Sequence, residues 1–318
     1  MSKANKNEPT PRFDFMGIAK YITAASMLVV VASLVLIFTK GLNYGVDFSG
    51  GVEMQIQFEK AVDAGAVRKF MADSGYADAN VQAYGKDNEF LIRLEMPKAA
   101  DEDTANTLLN QMIDKLKAGL TATFANQGAA VRRVDTVGPQ VGAELRKNGV
   151  LAGFYCMFLI LIYVGLRFDY RYSPAAVFCL FHDALITIGI YSLFNWEVTT
   201  QTMAAVLTIM GYSMNDTIVI FDRIRENQPN YRGKPLSWIA NLSINETLSR
   251  TILTYFTTSL TVLSMYFFTE GVIKDFSLAM IIGMLLGIFS TVFIATPLML
   301  FADHLYEMRK AAAQRAAA

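Results

Sequence analysis

Charge is what this sequence has little of. Only 18% of its 318 residues are Asp, Glu, Lys or Arg, where a soluble domain carries about 25%. The deficit is concentrated in several apolar runs of about 20 residues, the length that crosses a hydrocarbon core about 30 Å thick. Net charge is zero, so no polycation or polyanion argument applies and basic residues matter by position. Cysteine is scarce: Cys156 and Cys179 both lie in apolar runs, and none falls in the hydrophilic stretch 41–147. That excludes a secreted disulfide scaffold and reads as two buried membrane thiols. The two histidines, His182 and His304, are too few for a zinc site, which takes three or four protein ligands. No metal and no organic cofactor are expected. Tandem repeats and long low-complexity tracts are absent.

The first apolar run, Tyr21 to Phe38, follows Lys3, Lys6, Arg12 and Lys20. It is longer than the 7–15 apolar residues of a cleavable signal, and Thr39-Lys40-Gly41 is a poor cleavage site. It reads as a retained signal-anchor helix. Six spans are expected: 18–39, 149–167, 174–194, 201–222, 250–268 and 276–301. They imply a tail over 1–17, an extracytoplasmic segment over 40–148, five spans within 149–305 and a second tail over 306–318. Lys and Arg in short flanks set orientation. Arg167, Arg171, Arg223, Arg225, Arg232, Lys234, Arg309, Lys310 and Arg315 share the side of the N-terminal lysines. The opposite short loops, Asn195–Thr200 and Thr269–Asp275, carry only Lys274. Both termini are therefore expected in the cytoplasm.

The long segment after the first span reads as a small α+β domain. Val52–Phe58 alternates as a strand, with Glu53, Gln55 and Gln57 on one side. Asp63–Ser74 has helical spacing, Asn80–Tyr84 and Glu89–Met96 are strands around a Gly85-Lys86-Asp87-Asn88 turn, Asp101–Leu120 is a second helix, and Ala130–Val137 closes as a strand. The order β-α-β-β-α-β is the ferredoxin-like one, which by itself says little about function. A short interfacial helix is expected around Leu236–Leu242.

The residues a bilayer should reject are the informative ones. Asp216 sits within span four, where an ionised carboxylate costs roughly 2.5–3.5 kcal/mol on insertion scales and marks an ion or substrate path. Thr208, Tyr212, Asn215 and Asp216 share a face of that span. Arg250, Thr254, Thr258 and Thr261 share a face of span five, so Asp216 and Arg250 can meet at similar depth. A proton carrier must alternate between charged and neutral forms. Burial disfavours the charged carboxylate, and a nearby guanidinium favours it. Arginine stays charged and biases the carboxylate without carrying the proton. The alternative is a static pair locking two helices. His182-Asp183 in span three suggests a structural bonding role near the cytoplasmic end. Gly283 and Gly287 form a small-residue packing seam, internal or toward a partner.

At these residues the chain resembles the SecF branch of the SecD/SecF family. The resemblance is carried by Gly41-Leu42-Asn43-Tyr44-Gly45-Val46-Asp47-Phe48-Ser49-Gly50-Gly51, by Val137-Gly138-Pro139-Gln140-Val141-Gly142-Ala143-Glu144-Leu145, by Leu166-Arg167-Phe168 and His182-Asp183, by the run from Gly211 to Asn227, and by Thr247-Leu248-Ser249-Arg250-Thr251. It covers about residues 12 to 305. The resemblance implies an RND-like half of six helices whose other half is SecD. It implies association with SecYEG, with YajC and with the translocating preprotein in the bacterial inner membrane. It also implies late, proton-motive-force-driven help to export, with the proton as coupling ion. Asp216 and Arg250 match the family's proton-pathway positions, Asn215, Thr217, Thr254, His182 and Asp183 stand as supporting polar residues, and a further carboxylate would come from SecD. A stand-alone RND-type proton-driven exporter and a passive scaffold subunit are the alternatives. An intramembrane aspartyl protease built on Asp183 and Asp216 fits poorly, because the glycine-rich aspartate setting is missing.

Overall fold

The computed structural model describes residues 10–84, 88–95, 102–167 and 172–317. Lys3, Lys6, Gly85, Lys86, Asp87, Met96, Asp101, Phe168 and Arg171, used above, lie outside the described residues. Six helical segments are long and apolar enough to cross a membrane. The first is α1 (Phe15–Thr39), started by Asp14, whose carboxylate accepts from the Gly17 amide at 3.0 Å. The others are α5 (Pro139–Arg167), α6 (Ser173–Phe194), α7 (Thr200–Asn230), α8 (Leu236–Phe268) and the pair α9 (Val272–Ser290) and α10 (Thr296–Ala317). A π-turn over Thr291–Ala295 joins the last two, and Thr23 of α1 donates to the Phe293 carbonyl at 2.6 Å.

Four helices run past the expected spans: α7 continues to Asn230, α10 continues to Ala317 through the expected tail, and α5 and α8 start early. No interfacial helix precedes span five; α8 runs unbroken from Leu236 to Phe268. Pro235 starts it, and neither glycine nor proline follows until Gly271, so nothing in the sequence ends it early. Likewise α5 begins at Pro139, because proline suits a first helical turn and the polar residues after it are good helix formers.

Between α1 and α5 lies the sheet domain. A short β1 (Asn43–Tyr44) and one-turn α2 (Val46–Ser49) lead into β2 (Gly51–Gln57), α3 (Ala64–Asp73), β3 (Asn80–Ala83), β4 (Glu89–Glu95), α4 (Glu102–Thr123) and β5 (Ala130–Val137). The four longer strands are antiparallel in the order β3-β4-β2-β5, the ferredoxin-like arrangement. Alternation in β2 sends Val52, Met54 and Ile56 into a core with Val67, Met71, Ile92, Leu116 and Leu120, all fully or almost fully buried. Each such side chain contributes about 1.5–3 kcal/mol. The opposite face is polar and looks toward the helices.

The helical part has a different economy of forces, since lipid is as apolar as leucine and close packing must hold helices together. Helix α7 is central and packs on α5, α6, α8 and α9. Gly283 makes the α9 contact possible: a Cβ there would fall 2.1 Å from Ile209 of α7. Gly287 lies against Tyr255 of α8 and Ser213 of α7. The Gly283/Gly287 seam is thus internal packing. Cys179 is buried and Cys156 only partly so; both are free.

The Gly50-Gly51 pair has a steric reason. Gly51 opens β2 at φ 143°, and a Cβ there would sit 2.2 Å from the Leu94 carbonyl oxygen. A Gly51→Ala substitution should therefore break the β2–β4 register at its first pair, Gly51 with Glu95, at a strain of about 1–3 kcal/mol. The expected readout is faster proteolysis within the sheet domain while the helices remain in the membrane.

Candidate functional site

Two polar constellations connect the helices to one another and to the sheet domain. The first is inside the bundle. Asp216 is 6% exposed and accepts a hydrogen bond from Thr251 Oγ1 of α8 at 2.7 Å on Oδ1; Oδ2 has no hydrogen-bond partner. Arg250 is exposed and acts on Asp216 through Coulombic attraction; among the described residues no ion pair joins the two. The side chain that meets Asp216 is one residue further along α8. Thr247, Thr251 and Tyr255, spaced by four, form the buried face of α8, and Arg250 lies about 100° round the helix from Thr251. Thr254 and Asn215 line a small cavity beside Asp216, and Asn215 is exposed. Thr217 points the other way, bonding the Ser213 carbonyl and pairing with Thr291 Oγ1 of the π-turn at 3.3 Å.

His182 and Asp183 are fully buried in the middle of α6, away from either helix end. The imidazole bridges Ser26 of α1 at 2.6 Å and Asp183 Oδ1 at 2.9 Å. Asp183 Oδ2 accepts from Ser213 of α7 and Ser290 of α9, each at 2.7 Å. Three helices meet at this carboxylate, whose two oxygens are both satisfied, and α1 joins them through the imidazole. The Ser–His–Asp order resembles a nucleophile relay, but Ser26 is 6% exposed and the other two are wholly enclosed, so no substrate reaches it. Nor does Asp183 share a proton-bridged contact with Asp216, as an aspartyl protease dyad would. The cluster clamps helices. Sequence reasoning did not assign its serines, although each is a small polar residue in an apolar run.

The second constellation joins the sheet domain to the loops between helices. Asn195 ends α6 in the left-handed conformation, φ 56°, with the Trp196 amide returning to the Tyr191 carbonyl at 3.0 Å. This turn aims β6 (Glu197–Val198) alongside β1, pairing in parallel with it. Arg93 of β4 bridges Glu53 of β2 and Glu197, and Asn80 of β3 donates to Glu197 Oε1 at 2.7 Å. Asp47 accepts from the Thr200 amide at 2.9 Å, the first residue of α7, beside the Thr199–Thr202 capping box. Tyr84 lies against Gly271 of the α8–α9 loop. A cavity of ≈ 170 Å³ separates the polar sheet face from these loops, lined by Asp47, Glu53, Arg93, Arg133, Asp135 and Asp275 among others. The contacts from the sheet domain to the helical loops carry no local signature in the sequence, because they join residues more than a hundred positions apart.

At the opposite end, Arg223 pairs with Glu226 at 2.9 Å and Glu246 at 2.7 Å, Asn227 donates to Glu246 at 2.8 Å, and Arg167 lies 3.8 Å from Asp222.

This geometry has relatives. The family described as protein export membrane protein SecD/SecF, C-terminal, matches residues 117–304, and the SecD/SecF GG motif matches residues 35–62. The chain belongs to the SecD/SecF family. It is 41% identical over 304 residues to protein translocase subunit SecF of Magnetococcus marinus, covering 96% of each chain. To protein translocase subunit SecF of Escherichia coli O157:H7 it is 36% identical over 289 residues, 91% of this chain and 87% of that one. The crystal structure of SecDF from Thermus thermophilus, a translocon-associated membrane protein, superimposes with a TM-score of 0.78 at 37% identity. That match covers 92% of this chain and 39% of the longer SecDF chain. The GG motif of this SecD/SecF chain includes the Gly50-Gly51 pair, of which Gly51 packs under the Leu94 carbonyl. Six helices apolar and long enough to cross a membrane, among the described residues, make it a multi-pass membrane protein.

The docking contact should respond to acid. Burial raises the Glu197 carboxyl above the ordinary glutamate range, against the lowering effects of Arg93 and Asn80. Burial also lowers the Arg93 guanidinium, but Glu197 and Glu53 outweigh it and leave Arg93 raised. A carboxyl raised in the docked form favours docking below its free value, about 4.3, and this contribution is lost as pH rises through the docked value. Trp196, stacked on Phe194 at 4.9 Å, reports the site. In a Trp238→Phe background its emission should titrate with docking across that window, tighter at the acid end. Glu197→Gln should shrink the transition to what the neighbouring Asp275 carboxyl contributes; an undiminished titration in that variant contradicts the assignment.

Proposed function

We propose that the chain acts in the bacterial inner membrane as the SecF-type partner of SecD, using the proton motive force to promote late steps of preprotein translocation through SecYEG. It works as a transport subunit and not as an enzyme, with the proton as coupling ion and no metal or organic cofactor. YajC is a further candidate partner. The observation that carries the reading is Asp216: a buried carboxylate with one oxygen tied to α8, the other unpartnered, on the helix whose far end holds the sheet domain.

The mechanism follows from that placement. Neutral Asp216 can remain in the seam; ionised Asp216 needs solvation or the Arg250 guanidinium. Gain or loss of a proton therefore changes how α7 and α8 pack. Asp216 lies 16 residues from Thr200, about 24 Å along α7, and Thr200 is bonded to Asp47 of the domain segment. A shift of α7 is thus delivered to the domain through the Asp47 and Glu197–Arg93 contacts. One proton crossing 100 mV releases about 2.3 kcal/mol, enough to bias a two-state docking equilibrium several-tenfold.

Polar residues left facing outward at membrane depth support a membrane partner. Thr208, Tyr212 and Asn215 on α7 and Thr257, Thr261 and Ser264 on α8 are exposed. Lipid is a poor neighbour for them, and the equivalent helices of SecD, which also supply the remaining carboxylate, would cover them. Both termini are cytoplasmic in this reading, supported by Arg223, Arg225, Arg232, Lys234, Arg309, Lys310 and Arg315 on one side.

The test is export of a preprotein into vesicles carrying the SecD–SecF-type complex with Asp216→Asn, which keeps shape and removes titration. The force-dependent step should fall by at least about tenfold with the complex still assembled. Undiminished force-driven export would leave the subunit a scaffold.

A further inference from the structure

Asp216 Oδ2 is one of two unpartnered oxygens at the α7–α8 seam; the other is the Tyr255 hydroxyl. Both residues are at least nine-tenths buried, and both line the same cavity of ≈ 10 Å³ with Tyr212, Asn215, Thr254 and Thr258. That volume holds about one water, which needs two to four polar partners; Asp216 Oδ2, Tyr255 Oη and the Thr258 hydroxyl supply them. The Tyr255 ring is fixed in a cluster with Ile209, Met280 and Met284. Gly287 makes room for its hydroxyl: a Cβ there would stand 3.0 Å from Tyr255 Oη and 3.6 Å from Ser213 Cβ. Ser213 is the residue that donates to Asp183. The hydroxyl thus stands by Gly287 near Ser213, on a residue that shares its cavity with Asp216.

We propose that one water in this cavity joins Asp216 to Tyr255, and that Tyr255 is the relay residue through which protons reach Asp216 from the domain side of the bundle. The inference rests on Asp216 as the proton carrier. Tyr255 sits one helical turn nearer the domain end of α8 than Thr251, and Arg250 lies beyond Thr251 toward the other end, so the order along the seam is Tyr255, Asp216, Arg250. In the relay, Tyr255 gives its hydroxyl proton to the cavity water and regains one from a second water admitted when the seam opens on the domain side, and the cavity water gives one to Asp216 Oδ2. Tyrosine and water each gain and lose one proton, and Asp216 alone changes state. Asp183, with both oxygens bonded, holds the helices that frame the relay.

The charged or titratable groups around the cavity are Arg250 and Tyr255 on α8, Tyr212 on α7, and Asp183, His182 and Cys179 on α6; α9 brings Ser290 and Gly287. The experiment measures force-driven export against pH in vesicles holding the whole complex, with wild-type chain, Tyr255→Phe and Asp216→Asn. Tyr255→Phe keeps the packed ring and removes the relay oxygen. The force-driven rate should fall by roughly tenfold and the pH of half-maximal rate should move by about one unit, with force-independent export unchanged. An unaltered rate, or a lower rate with the pH profile in place, overturns the proposal, the latter because it marks a structural loss. If Tyr255→Phe fails to assemble, Gly287→Ala reads the same point by displacing the hydroxyl, and an unmoved pH profile there overturns it equally. Full export in Asp216→Asn would instead remove the carrier reading itself.

Discussion

A carboxylate inside a bilayer is cut off from bulk water, and the arrangement of this protein follows from how it treats Asp183 and Asp216. A buried polar group without a hydrogen bond costs several kcal/mol, and a buried charge more. Asp183 is given three partners from three helices and becomes a fixed point. Asp216 is given one firm partner, Thr251, and an open oxygen, so its best environment changes with its protonation state. A fully bonded carboxylate and one with an open oxygen thus stand on the same helix bundle.

The fold places these two behaviours on suitable elements. Helix α6 carries Asp183 and is half enclosed by its neighbours, and Ser26, Ser213 and Ser290 pin α1, α7 and α9 to it. Helix α8 is far less enclosed and touches Asp216 through a single threonine hydroxyl. The firm polar ties between α7 and α8, from Arg223 and Asn227 to Glu246, lie at the end away from the sheet domain. At the other end of α7, Asp47 and the Glu197–Arg93–Glu53 contact give the sheet domain a grip on the helix. The same polar sheet face that a soluble ferredoxin-like domain would leave to water is here turned toward the helical loops.

Much of this was legible from residue order. The six apolar runs, the β-α-β-β-α-β pattern and the solitary Asp216 were each visible, because membrane thickness, strand alternation and the expense of a buried charge leave strong periodic signals. Helix phase was less visible: the Arg250, Thr254, Thr258 stripe was prominent by composition, while the face that is buried is Thr247, Thr251, Tyr255, and only the packing of α8 against α7 decides between them. The extent of α8 escaped because hydropathy falls off before Leu248, although helix propensity does not. The Asp183 cluster and the Arg93–Glu197 contact join residues far apart in the chain, and no local pattern announces such pairs.

The central claim is that protonation of Asp216 is transmitted along α7 to the sheet domain. The most direct measurement is the distance distribution between spin labels at Lys117 on α4 and Phe267 at the domain end of α8, both exposed, in vesicles containing the assembled complex, with and without an imposed proton gradient. The account predicts a gradient-dependent change in that distribution in otherwise wild-type protein and none with Asp216→Asn. The same change in both proteins, or in neither, would contradict it.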